Sequence, residues 1–129
     1  MIKILLVADE PSVRRGLRMR LTAEPDVAIV GEAADGRAAL ELTDRLHPDV
    51  VLIDAETPRL GGLAVARSLA ARAAMILLSL HDDPVTRRGA LEAGAVDFVT
   101  KCGSMDDLLT AIRRAASRDA GRRPEAEIP

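Results

Sequence analysis

Five short apolar runs, IKILLVA (2–8), VAIVGEA (27–33), DVVLI (49–53), AMILLSL (74–80) and VDFVT (96–100), alternate with stretches whose apolar residues recur at helical spacing. Most of these runs lack the polar alternation of a strand with one wet face, so they predict strands covered on both sides. Between them the helical periods are Val13, Leu17 and Leu21; Ala39, Leu42 and Leu46; Leu63, Ala66 and Leu69; Ala90, Leu91 and Ala95; and Leu108, Ile112 and Ala115. Pro11 and Ser12 mark the start of the first helix, Asp35-Gly36 the second, Asp82-Asp83-Pro84 the fourth and Ser104 the fifth, while Pro48 and Gly94 mark stops. Alternation of this kind through short connections predicts a doubly wound α/β fold: a five-stranded, mostly parallel sheet with five helices on its two faces and right-handed crossovers. Ligands of such sheets sit beyond the carboxyl ends of the strands, near the point where strand order reverses.

A chain of 129 residues suffices for one core and is too short for two. Phe98 is the only aromatic residue and 48% of the chain is hydrophobic, so that core must be aliphatic. A formal net charge of -2 offers no broad basic surface, which argues against direct nucleic-acid binding by this segment. The single Cys102 cannot form an internal disulfide, and MIKILLVADE reaches an acid too soon for a signal peptide. No run approaches the roughly 20 apolar residues of a membrane span, so a cytoplasmic location with no membrane partner is expected. From Ser117 the sequence SRDAGRRPEAEIP is polar, aperiodic and contains Gly and Pro, which predicts a domain over 1–117 followed by a polar linker or frayed tail over 118–129.

Residues 50–62, VVLIDAETPRLGG, raise the functional question, because a run built for burial ends on a carboxylate, Asp54, where the chain leaves the core. Taken alone, such an acid caps a turn more often than it reacts. The strand ends, however, bring Asp9 and Glu10, Asp54, Ser79 and Lys101 to one rim. Lys101 is one of only two lysines against sixteen arginines, as if a compact ammonium were required there. Two carboxylates supply hard oxygens for Mg²⁺. Asp54 could attack phosphorus and become an aspartyl phosphate, with Lys101 and the Ser79 hydroxyl holding the new oxygens.

LLVADEPSVRRGL (5–17), GEAADGRAAL (31–40), PDVVLIDAETPRLGGL (48–63), LLSLHDD (77–83) and LEAGAVDFVTK (91–101) together resemble, in order and spacing, the receiver domains of two-component response regulators. The NarL/LuxR type, whose output is a helix-turn-helix DNA-binding domain, is the most similar. The resemblance implies a flavodoxin-like sheet of order 2-1-3-4-5. It also implies a domain that takes a phosphoryl group from a histidine kinase, switches an output or homodimer surface and so regulates transcription. No enzyme activity is implied beyond its own phosphorylation and dephosphorylation. By the same resemblance Asp54 is the phosphoacceptor and Lys101 the lysine of the acceptor site. Ser79 is the switch hydroxyl and Phe98 the rotating aromatic. Asp9, Asp54 and the Glu56 backbone carbonyl are the Mg²⁺ ligands.

The family pattern is broken at Ala8, which stands where the first of two adjacent acids belongs, so Mg²⁺ is expected to bind weakly. Thr57-Pro58 replaces Met-Pro, Glu56 would face the phosphoryl group, and Cys102 stands where many receivers carry proline, predicting a trans peptide bond. Two alternatives stay open: a degenerate receiver acting through phosphorylation-independent protein or ligand contacts, and a small haloacid-dehalogenase-like phosphohydrolase, echoed by IDAET (53–57). His81 is expected to be a solvated or capping residue. His47 and Cys102 carry local structure only, and Arg14, Arg15, Arg18 and Arg20 form a solvated helix face.

Overall fold

The structure, a computed structural model, describes residues 1–56, 62–101 and 103–122. The expectations for Thr57-Pro58, Cys102 and the last seven residues of the tail fall outside the described residues. Strands β1 (Ile2–Val7), β2 (Val27–Ala33), β3 (Val50–Asp54), β4 (Ala74–Ser79) and β5 (Asp97–Thr100) alternate with helices α1 (Pro11–Leu21), α2 (Gly36–Leu46), α3 (Gly62–Arg72), α4 (Pro84–Glu92) and α5 (Met105–Arg122). All pairings are parallel, as the alternation of strands and helices predicts, and the strand order is β2-β1-β3-β4-β5, as the receiver resemblance implies. α5 stays helical to Arg122, beyond Ser117.

The period of two along each strand sorts its side chains into two cores. Ile4, Leu6, Val50, Leu52, Ile76 and Leu78 face one side, where Leu108, Leu109, Ile112 and Ala115 of α5 and Leu21 of α1 cover them. Leu5, Val7, Val51, Ile53 and Met75 face the other, against Ala39 of α2, Ala66 and Leu69 of α3 and Ala90 of α4. β1, β3 and β4 are thus covered on both faces, which is why their sequences read as unbroken apolar runs. Each fully buried Leu or Ile contributes about 1.5–3 kcal/mol relative to exposure. The cost of ordering the chain offsets most of that sum.

Local signals fix the connections. Asp35 caps α2 by accepting from Ala38 N–H at 2.9 Å, Asp83 caps α4 by accepting from Thr86 N–H at 2.8 Å, and Ser104 accepts from Asp107 N–H at 3.1 Å at the start of α5. His47 closes α2 in the left-handed conformation, φ 48°, just before Pro48. Gly94, φ 94°, follows α4 where an added Cβ would lie 2.7 Å from Ala70 Cβ, so a side chain there would be both strained and crowded. Two residues of the expected apolar helix faces are exposed instead: Leu63 at 45%, and Leu91 at 71%, where the chain turns Ala90 and Ala93 inward. Ala90 and Leu91 are adjacent and cannot share one helix face, and the smaller residue lets α4 approach the sheet closely.

Candidate functional site

Strand order reverses between β1 and β3, so the chain leaves these two neighbours toward opposite faces and opens a crevice at their carboxyl ends. Ala8 and Asp9 follow β1, Asp54 ends β3, Ser79 ends β4 and Lys101 follows β5. Backbone pairing continues past the strands and locks these ends together: Ala55 N–H donates to the Leu78 carbonyl at 2.7 Å and Lys101 N–H to the Ser79 carbonyl at 2.8 Å. Asp54 and Ser79 are 5% and 1% exposed, among the very few buried polar residues.

The two acids and the lysine of this rim form one cluster. Lys101 Nζ lies 2.6 Å from Asp54 Oδ1 and 3.1 Å from Glu56 Oε2. Glu56 N–H donates to Asp54 Oδ1 at 3.0 Å. The Ser79 hydroxyl donates to Glu56 Oε1 at 3.0 Å, Leu80 N–H donates to the same oxygen at 3.1 Å, and Ser79 Oγ accepts from His81 N–H at 3.1 Å. Burial opposes ionisation of Glu56, but the bond from Leu80 N–H and, after it, interactions with Asp54, Lys101 and Ser79 outweigh it and lower its pKa to about 2. Burial also opposes the Lys101 ammonium, and its bonds to Asp54 and Glu56 overcome that, holding its pKa above the ordinary value. The site is therefore a buried acid, a cation and a second acid, with a hydroxyl and an amide aimed at the second.

The loop after β1 is organised differently. Ala8 is fully buried, and its N–H donates to the Ala33 carbonyl at 3.0 Å. Arg14 Nη1 donates to the Ala8 carbonyl at 2.5 Å and the Asp9 carbonyl at 3.2 Å, while its Nε pairs with Glu32 at 3.1 Å. Arg14 was expected on a solvated face; it instead tethers this loop to β2, because one helical turn separates it from the loop and Glu32 lies on the neighbouring strand. Arg18 shares Glu32, at 2.6 Å. Neither bond has a sequence signal, since both partners are distant along the chain.

Among the described residues no three His, Cys, Asp or Glu side chains gather as a metal-binding group, and the Asp9 carboxylate makes no hydrogen bond or ion pair. An unengaged carboxylate in the loop after β1, at the same edge of the sheet as Asp54, is of the hard oxygen type that Mg²⁺ accepts, one or two carboxylates completed by water and substrate oxygens. His81 is exposed, consistent with a solvated side chain. Phe98 is half-buried in β5, against an apolar cavity of about 280 Å³ bounded by Ile53, Ala66, Met75, Leu77 and Ala90. Arg87 covers its ring from outside, a contact that the sequence did not announce. The IDAET acid pair ends the third strand and not the first.

Residues 4–113 match the response regulator receiver domain family. The nitrate/nitrite response regulator NarL of Escherichia coli K12 is 34% identical over 119 residues, covering 88% of this chain and 54% of that protein. A protein-glutamate methylesterase/protein-glutamine glutaminase of Pyrococcus horikoshii is 32% identical over 130 residues, covering 89% of this chain and 35% of that protein. The solved structure of a LuxR-family two-component response regulator from Aurantimonas sp. SI85-9A1 superposes with a TM-score of 0.80 at 35% identity, over 94% of this chain and 86% of that one. The chain spans about half the length of the regulator NarL. No described helix is long and apolar enough to cross a membrane.

Proposed function

The chain belongs to the response regulator receiver domain family, its relatives including regulators of the NarL/LuxR type, and on that premise we propose that Asp54 is the residue that accepts a phosphoryl group. The observation that carries this reading is the 2.6 Å pairing of Asp54 with Lys101 at a buried strand end. A carboxylate held this way is oriented and screened by an ammonium, which a nucleophile toward an anionic phosphoryl group requires.

An Asp54 oxygen attacks phosphorus as the phosphorus–nitrogen bond to a histidine kinase's phosphohistidine breaks, leaving imidazole on the kinase and an acyl phosphate here. Lys101 stays beside the reacting oxygen throughout and takes up charge on the transferred group. The Ser79 hydroxyl and Leu80 N–H, next to each other at the end of β4, supply neutral donors to its oxygens. Mg²⁺, held by Asp9, Asp54 and the Glu56 carbonyl, would add charge neutralisation between the acids and the incoming group. With Ala8 in place of an acid, nothing at that position anchors a metal-bound water, and affinity falls by roughly 10–100-fold.

We place residues 1–117 in this receiver, with the polar segment from 118 leading away from it. The surface of α4, β5 and α5, which Phe98 borders, is the one that would meet a homodimer or output partner after phosphorylation. A DNA-binding output fits the NarL-type relatives, and a protein carrying it would work in the cytoplasm. The domain itself would catalyse only its own phosphorylation and hydrolysis.

Incubation with acetyl phosphate and Mg²⁺ followed by intact-mass measurement tests the reading. One phosphoryl group on the native protein and none on Asp54→Asn supports it. A second reading, a receiver that signals without phosphate, is favoured by Ala8 together with the Arg14 bonds to the loop carbonyls. Native protein that stays unlabelled at high Mg²⁺ would select that reading.

A further inference from the structure

Three donors from two strand ends converge on one carboxylate: the Ser79 hydroxyl and Leu80 N–H on Glu56 Oε1, at 3.0 and 3.1 Å, and Lys101 Nζ on Oε2 at 3.1 Å. Hydroxyl, amide and ammonium are the groups that a tetrahedral anion on Asp54 would need, and Lys101 is already in contact with Asp54 itself. Only Ala55 separates the two acids, and the Glu56 amide is pinned to Asp54 Oδ1 at 3.0 Å. The backbone of Glu56 is therefore fixed, while its side chain, 32% exposed, has a path to water.

Resting on the assignment of Asp54 as acceptor, we propose that the Glu56 carboxylate is a tethered anion occupying the phosphoryl-oxygen pocket, and that it must swing out before Asp54 can be phosphorylated. A carboxylate carries one charge and two oxygens. A phosphoryl group carries roughly -1.5 to -2 and three oxygens, so the same donors prefer it once it is attached. The Ser79 hydroxyl has one proton and cannot serve both the Glu56 carboxylate and a phosphoryl oxygen, and a phosphoryl group beside Asp54 and Glu56 would crowd further negative charge around the one ammonium. Displacement of Glu56 is thus part of the phosphorylation step and lowers the apparent affinity for any phosphodonor by the fraction of time the pocket is free. In the unmodified domain the same carboxylate holds the Ser79 hydroxyl that a phosphoryl oxygen on Asp54 would otherwise draw. Glu56 is a positioning residue for Ser79 and Lys101 and a gate for the pocket.

Beryllofluoride, a non-hydrolysing stand-in for the phosphoryl group, separates occupancy from hydrolysis. Its affinity would be measured at saturating Mg²⁺ for the native protein, Glu56→Gln and Glu56→Ala, with Asp54→Asn as control, following the Ser79 and Leu80 amide resonances. Both variants keep the backbone carbonyl. Without ligand, both should shift the Leu80 amide, and both should bind beryllofluoride more tightly, by about tenfold if the free pocket is populated at about one part in ten. Equal or weaker binding by both variants, with binding still abolished in Asp54→Asn, overturns the gate and leaves the acceptor assignment standing. No binding by the native protein or either variant overturns both.

Discussion

The guanidinium carbon of Arg87 lies 4.9 Å from the centroid of the Phe98 ring, and Arg87 Nε is bonded to Asp82 Oδ1 at 2.5 Å. The only aromatic ring in the chain is thereby capped from solvent by a cation on α4 that is itself anchored at the start of the same helix. Any movement of Phe98 in β5 must rearrange this pair, which ties the ring to the face of α4, β5 and α5.

Arg87→Ala is expected to destabilise the domain slightly, because the ring loses the cation that covers it. Urea denaturation of Arg87→Ala, Phe98→Leu and the double variant checks it. The double variant should lose less than the two single losses added, because the contact is counted in both.

Glu32 predicts an acid-side dependence of stability. The hydrogen bond from Arg18 leads in holding its pKa below the ordinary 4.5; burial opposes this, and Arg14 adds a second bond. A carboxyl with a lowered folded pKa stabilises fully above its ordinary value and loses that contribution as pH falls through the folded one. Glu32→Gln should therefore cost about 0.5–1 kcal/mol near neutrality, with the difference from native protein shrinking below pH 4.5. Denaturation midpoints from pH 7 downward measure it, and a constant offset across the range would contradict the sign.

Ala8→Asp should restore the missing acid and lower the Mg²⁺ concentration needed for labelling by acetyl phosphate, by roughly 10–100-fold. Ala8 is fully buried, so the new carboxylate should also lower stability in the absence of metal and recover part of it on Mg²⁺ addition. Superimposable Mg²⁺ titrations of the two proteins would show that this position does not face the acceptor.

The fold was legible because its signals are local. Unbroken runs announce β1, β3 and β4, since strands covered on both faces need no polar alternation, and Asp35, Asp83 and Ser104 announce helix starts by their capping chemistry. Leu91 was misread because α4 is short and alanine-rich, so its period did not determine which residue faces the sheet. At the site, Asp54, Ser79 and Lys101 could be gathered from strand ends alone, since parallel pairing brings those ends together. The contacts of Glu56 with Ser79 and Leu80 depend on the turn after β3, and those of Arg14 on a strand 18 residues away, so neither could be read from spacing.

Asp54 as the phosphoryl acceptor is most directly tested by locating the modified residue. The native protein would be treated with acetyl phosphate at high Mg²⁺, reduced with borohydride to trap any acyl phosphate as a stable alcohol, digested and mapped by mass spectrometry. The expected result is a single modified residue, Asp54, with none at Asp9 or Glu56. Modification at another acid, or a stable label that survives in Asp54→Asn, would contradict the account.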